Sequence, residues 1–116
     1  MKTKAAAATD SLQRQYQRLR SSLASTGYIT QGSVLDRSTL RPPRSGYQWT
    51  RKVARKTITV ALSPEQFHSL RKAIQNRRSL QKTISKMEKL TRQILFGILP
   101  DTRRRKSLPK KALGLV

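Results

Sequence analysis

A chain of 116 residues with 26 Lys and Arg against 5 Asp and Glu carries a formal charge of +21, far above the roughly 2–8 units usual for a small domain. With no cysteine and one histidine, disulfides, cysteine metal sites and histidine pairs are excluded. Charge of this size repels itself and weakens the compact state, and a polyanion offsets it because each neutralised phosphate releases counterions. Nucleic acid is therefore the expected partner class, with an anionic membrane surface a weaker alternative.

Residues 1–8 read as a flexible tail, and no secretory signal is expected, because MKTKAAAATD at 1–10 offers only four alanines where an apolar run of about 7–15 residues is needed. No stretch of about 18 apolar residues occurs, so no membrane span is expected, and the location expected is cytoplasmic. One small domain, 9–99, is expected to follow. Thr9, Asp10 or Ser11 can cap a helix, and Leu12, Tyr16, Leu19 and Leu23 then recur at steps of four, three and four. The spacing predicts a helix over 9–25, ended by Gly27. Residues 28–40, YITQGSVLDRSTL, fit a short strand or an irregular loop. RPPRSG at 41–46 is a break, because Pro42 and Pro43 lack amide donors.

A hairpin is predicted over 47–62. Side chains alternate along a strand, so Tyr47, Trp49, Arg51 and Val53 share one face and Gln48, Thr50 and Lys52 the other. TITVAL at 57–62 supplies the second strand, with Ile58, Val60 and Leu62 on one face. Ala54, Arg55 and Lys56 are left to turn the chain. None is the glycine or asparagine that a tight primed turn prefers, so a looser loop or a strained residue near Arg55 is expected. Ser63-Pro64-Glu65-Gln66 is a helix start. Ser63 and Gln66 form a capping box, Pro64 suits the first helical position, and Glu65 favours the positive end of the dipole.

The helix from 64 meets no glycine until Gly97 and would be about 50 Å long. Ala73, Leu80, Met87 and Ile94 form one heptad row, and Leu70, Arg77, Ile84, Thr91 and Ile98 another, the d and a positions of a seam. A helix this long needs a partner. Antiparallel packing on helix 9–25 is the expectation, and a homodimer through the long helix is the rival. Residues 100–116 read as a disordered basic tail. The fold class is α+β: a helix, a hairpin or three-stranded sheet, and a long helix.

Catalysis finds no footing. Asp10, Asp36, Glu65, Glu88 and Asp101 are scattered, and His68 follows a helix cap without a nucleophile or carboxylate at a catalytic spacing. A non-enzyme is expected, with no cofactor and no small-molecule substrate. Three basic groups are candidate nucleic-acid contacts. Around the hairpin lie Arg44, Arg51, Lys52, Arg55 and Lys56, with Tyr47 and Trp49 between them. Ribbons of this kind enter a DNA major groove, and aromatic rings stack unpaired bases. The competing role for Tyr47 and Trp49 is packing on the long helix beside Phe67, which leaves contact through Lys52, Arg55 and Lys56 intact. Along the helix run Arg71, Lys72, Arg77, Arg78, Lys82, Lys86, Lys89 and Arg92 against Glu65 and Glu88, unlike the mixed signs of an ordinary surface helix. In the tail, Arg103, Arg104, Arg105 and Lys106 suit a phosphate-binding arm.

YITQGSVLDR, then GYQWTRKVARKTITVALSPEQF, then NRRSLQKTISKMEKL together resemble a family of short uncharacterised bacterial and archaeal proteins. Its members share a tyrosine-rich strand, an RKV-x-x-K-T turn region and a proline-capped long helix. The resemblance covers roughly 28–96. Many members of that family carry cysteines just before the first hairpin strand, which implies a metal-binding knuckle. This chain has STLRPPRS at 38–45 instead, so no metal is carried over. Some members lie near mobile elements, which favours DNA over RNA as the partner. The hairpin-then-helix order also looks like the arm-binding domains of tyrosine recombinases, which insert a sheet into the major groove. That likeness is one of element order, and fold does not imply function.

Overall fold

The computed structural model describes residues 4–99 and 108–115. The elements in chain order are α1 (Lys4–Leu23), β1 (Ser33–Asp36), a 3-10 turn (Arg37–Thr39), β2 (Tyr47–Val53), β3 (Lys56–Leu62), α2 (Pro64–Ile98) and α3 (Lys110–Leu113). The α+β class holds. The chain divides into two compact units, Thr26–Leu80 and the combination of Met1–Ser25 with Gln81–Val116. The long helix contributes a half to each.

In the helical unit α1 begins five residues before the predicted start, at Lys4. The residues expected to cap it lie inside it, so 4–8 is not a tail. Ala5 to Ala8 explain the extension, since alanine is the best helix former and needs no cap to propagate. The C-terminal end also differs from expectation. Ser22 Oγ donates to the Leu19 carbonyl at 2.6 Å and Ser25 Oγ to the Ser22 carbonyl at 2.8 Å. The Ser22 carbonyl also accepts from the Ser25 amide at 3.2 Å, so the chain tightens into a turn, and the helix stops at Leu23, two residues before the predicted end at 25. The predicted stripe Leu12, Tyr16, Leu19 and Leu23 is half-buried throughout.

Its partner is the second half of α2, where Leu90 is buried and Thr83, Met87, Thr91 and Ile94 are half-buried. Tyr16 and Gln17 line a groove with Ile94 and Leu95, whereas Leu19 lines one with Lys86 and Leu90. Later residues of α1 therefore meet earlier residues of α2, and the pair is antiparallel as predicted. Within the predicted basic tail, Lys110–Leu113 forms a helical turn. Gly114 closes it at φ 78°, with the Leu115 amide donating to the Lys110 carbonyl at 2.9 Å and the Gly114 amide to the Lys111 carbonyl at 3.2 Å. This is the hydrogen-bond pattern of a Schellman cap. Arg92 Nε donates to the Leu113 carbonyl, which ties the turn to α2. The sequence hides this turn because its anchor is 21 residues away.

The second unit is a three-stranded antiparallel sheet in the order β1-β2-β3 with the first half of α2. β1 pairs Val34 with Trp49 and Asp36 with Tyr47. β2 pairs Tyr47 with Leu62, Trp49 with Val60 and Arg51 with Ile58. Phe67, Ala73 and Ile74 are buried on α2. Phe67 stacks on Tyr47, ring centroids 4.3 Å apart, and Asn76 Nδ2 donates to the Tyr28 carbonyl at 3.0 Å, so this stripe carries the segment before β1 as well as the sheet. The predicted helix start forms: the Gln66 amide donates to Ser63 Oγ at 3.1 Å and the Ser63 amide to Gln66 Oε1 at 2.9 Å.

Candidate nucleic-acid interface

The hairpin tip is tighter than the sequence predicts. Val53 pairs with Lys56, so only Ala54 and Arg55 make the turn. Both have positive φ, 48° and 69°, which is the backbone a type I′ turn requires and which suits the right-handed twist of the strands. The predicted looser loop is absent, and the predicted strain at Arg55 is present and extends to Ala54. The sheet twist and its register outweigh the local cost of a left-handed alanine and arginine. The tip is thereby fixed with Arg51, Lys52, Arg55 and Lys56 all exposed. No acidic residue occurs anywhere in 47–62.

Register divides the sheet into two unlike faces. One carries Val34, Tyr47, Trp49, Arg51, Ile58, Val60 and Leu62. Its inner end lies on α2 through the Tyr47–Phe67 stack. Trp49 is half-buried and its indole N–H donates to the Gln31 carbonyl at 3.0 Å. The packing alternative thus describes Tyr47. Trp49 is held by the segment before β1, which passes close enough that a Cβ on Gly32 would collide with its indole. Towards the tip this face is uncovered, with Ile58 at 42% and Val60 at 43% exposure.

The other face is polar. Thr50 lies between Ser33 and Thr59, Gln48 between Leu35 and Ala61, and Lys52 opposite Thr57. It points away from α2, because the alternating Tyr47 and Leu62 positions take the helix side. Arg37 Nε donates to Gln48 Oε1 at 3.3 Å, which restrains the amide from the loop side. Alternation of Gln48, Thr50 and Lys52 is legible in the sequence, but Ser33, Thr57 and Thr59 join them only through the three-stranded register, and Arg37 only through its hydrogen bond to Gln48.

The loop at 37–46 is closed by its own backbone hydrogen bonds. The Arg37 carbonyl accepts from the amides of Leu40 at 3.1 Å and Arg44 at 3.0 Å, and the Arg37 amide donates to the Gly46 carbonyl at 2.9 Å. The Asp36 carboxylate accepts from the Ser38 hydroxyl at 2.7 Å and the Ser38 amide at 3.0 Å. These hydrogen bonds favour the charged form and hold the Asp36 carboxyl below the ordinary value of 3.8. Arg44 is exposed on this loop. No group of three His, Cys, Asp or Glu among the described residues is placed to hold a metal.

On α2, Arg71, Lys72 and Arg78 are exposed and Arg77 is half-buried in the sheet-bearing half; Lys82, Lys86 and Lys89 are exposed in the other. Arg92, read as a basic contact residue, is spent on α3. His68 is exposed with its ring edge-on to Phe67, centroids 5.5 Å apart. Arg103, Arg104, Arg105 and Lys106 lie outside the described residues. No helix among the described residues is long and apolar enough to cross a membrane. Comparison with protein families, curated proteins and solved structures finds no match to this chain.

Proposed function

We propose that this protein is a non-catalytic nucleic-acid-binding protein, with DNA favoured over RNA. The observation that carries the reading is the hairpin tip, where Arg51, Lys52, Arg55 and Lys56 are exposed around a rigid two-residue turn free of acidic residues. A small basic tip held on paired strands presents its cations at fixed spacing, which lowers the ordering cost of phosphate contact. Arg44, Arg71, Arg78 and Lys82, exposed in the same chain, extend the electrostatic footprint. Phosphate contacts supply affinity and set register, while base-edge contacts supply any sequence preference. Tyr47 takes no part as a stacking platform while it is stacked on Phe67.

The test is binding of the full chain to matched duplex DNA, duplex RNA and single strands across a salt series, with heparin as competitor. Binding to one duplex that persists near about 0.15 M salt supports the reading. Equal competition by every polyanion, with binding gone by about 0.2 M, reduces it to generic attraction. One observation favours a second reading, self-association through α2: Ile84 and Ile98, both in the a row, are exposed at 41% and 46%. Sedimentation of the free protein separates the two, because a concentration-dependent dimer belongs only to that reading.

A further inference from the structure

We infer that the polar face of the sheet, not its aromatic face, is the part that enters the major groove of duplex DNA; the inference rests on the nucleic-acid reading above and specifies its surface. Three observations carry it. Towards the tip the face carries hydrogen-bonding side chains: Ser33, Thr50 and Thr59 form one row across the three strands, and Lys52 and Thr57 form the next, while Leu35 and Ala61 flank Gln48 in the row further in. Hydroxyls both donate and accept, so they suit the mixed pattern of base edges, and threonine methyls suit the thymine methyl. Thr57 and Thr59 are exposed, and Lys52 with them.

Dimensions agree as well. Neighbouring strands lie about 4.8 Å apart, so two of them, β2 and β3, can lie in a B-form major groove about 12 Å wide, which admits a two-stranded ribbon. The major groove of A-form RNA is too deep and narrow for side chains on a slab to read. Gln48, whose amide Arg37 restrains at 3.3 Å, stands one row further from the tip, where an amide can pair with an adenine edge. The opposite face offers fewer groups for base edges: its inner end is covered at Tyr47 by Phe67, and its outer end sets the aliphatic Ile58 and Val60 beside Arg51 and Lys56, whose charges suit phosphate. Lys52 and Arg55, at the rim and the tip, meet phosphate on entry.

The experiment uses the full chain and three two-turn duplexes of one sequence: DNA, RNA, and DNA whose cytosines carry glucosylated 5-hydroxymethyl groups that fill the major groove. The inference predicts binding to unmodified DNA about tenfold tighter than to the glucosylated duplex, and weaker binding to RNA. The double variant Thr50→Val, Thr59→Val keeps strand-forming shape and all charges. It narrows the gap between the two DNAs while the salt slope stays the same, and a thermal melt confirms that it is folded. Equal affinity for both DNAs, or preference for RNA, overturns the inference and leaves nucleic-acid binding standing. Absence of binding to all three overturns the underlying reading and this inference with it.

Discussion

Replacing Ala54-Arg55 by Asn-Gly should stabilise the hairpin unit. The two residues sit at φ 48° and 69°, where a residue with a Cβ loses about 1–2 kcal/mol against the right-handed region. Asparagine tolerates that region and glycine has no penalty there, but glycine returns about 0.4–1 kcal/mol through the entropy of the unfolded chain. The net gain expected is about 1–2 kcal/mol. The single tryptophan of the chain, Trp49, is on β2 of this same hairpin, so urea unfolding followed by its fluorescence reads the unit directly. Arg55→Gly also removes a charge from a +21 protein, and Arg55→Ala is the control, since it removes the same charge and keeps the Cβ. The Asn-Gly variant should unfold at a higher urea midpoint than wild type, and Arg55→Gly at a higher midpoint than Arg55→Ala. If Asn-Gly lowers the midpoint, or Gly and Ala at 55 are indistinguishable, the left-handed turn is not where the hairpin stores its cost.

Gly32→Ala should destabilise the same unit by about 2 kcal/mol or more, because φ 110° is nearly confined to glycine and the new Cβ would strike the Trp49 indole and the Thr50 carbonyl; Trp49 fluorescence and a thermal melt measure it, and a neutral result removes the close approach. Ser63→Ala should cost about 1 kcal/mol by urea unfolding, typical of a lost N-cap, and adding Gln66→Ala should cost less than the sum of the two single changes, since the pair bonds reciprocally. The Asp36 carboxyl should titrate by NMR with a midpoint below 3.8. Its folded pKa is depressed, so its contribution to stability is complete above the unfolded aspartate range and fades as pH falls through the folded value. Ser38→Ala should bring the midpoint back up, and an unmoved midpoint would assign the shift to another cause.

Periodic features were readable from the chain because their causes are local. The proline-capped start of α2, the alternation in β2 and the stripe from Leu12 to Leu23 each depend on residues within a few positions, and each formed as expected. What was not readable depends on distant partners. The α1 start at Lys4 is not marked in the sequence, because the alanine run carries no boundary signal, only propensity. The Ala54-Arg55 turn violates turn preference and is imposed by strand pairing from Tyr47 to Leu62. The turn at Lys110–Leu113 is anchored by Arg92, which the sequence presents as one more basic residue among many. The polar face of the sheet needed the β1 register, since Ser33 joins Thr50 and Thr59 only through pairing. In the sequence the aromatic pair stands out because aromatic and basic residues alternate there. In the fold Tyr47 lies stacked on α2 and Trp49 is hydrogen-bonded to Gln31.

Contact between the hairpin tip and phosphate is open to a direct test. The most direct measurement is the slope of log Kobs against log salt for duplex DNA, compared between wild type and the double variant Arg55→Ala, Lys56→Ala. Both positions are exposed, and alanine at 55 leaves the strained backbone as it is. Each phosphate contact contributes about 0.9 to the slope, so loss of both cations should weaken binding and flatten the slope by about 1.8. A variant that binds as tightly as wild type with the same slope would contradict the account and remove the hairpin tip from the contact surface.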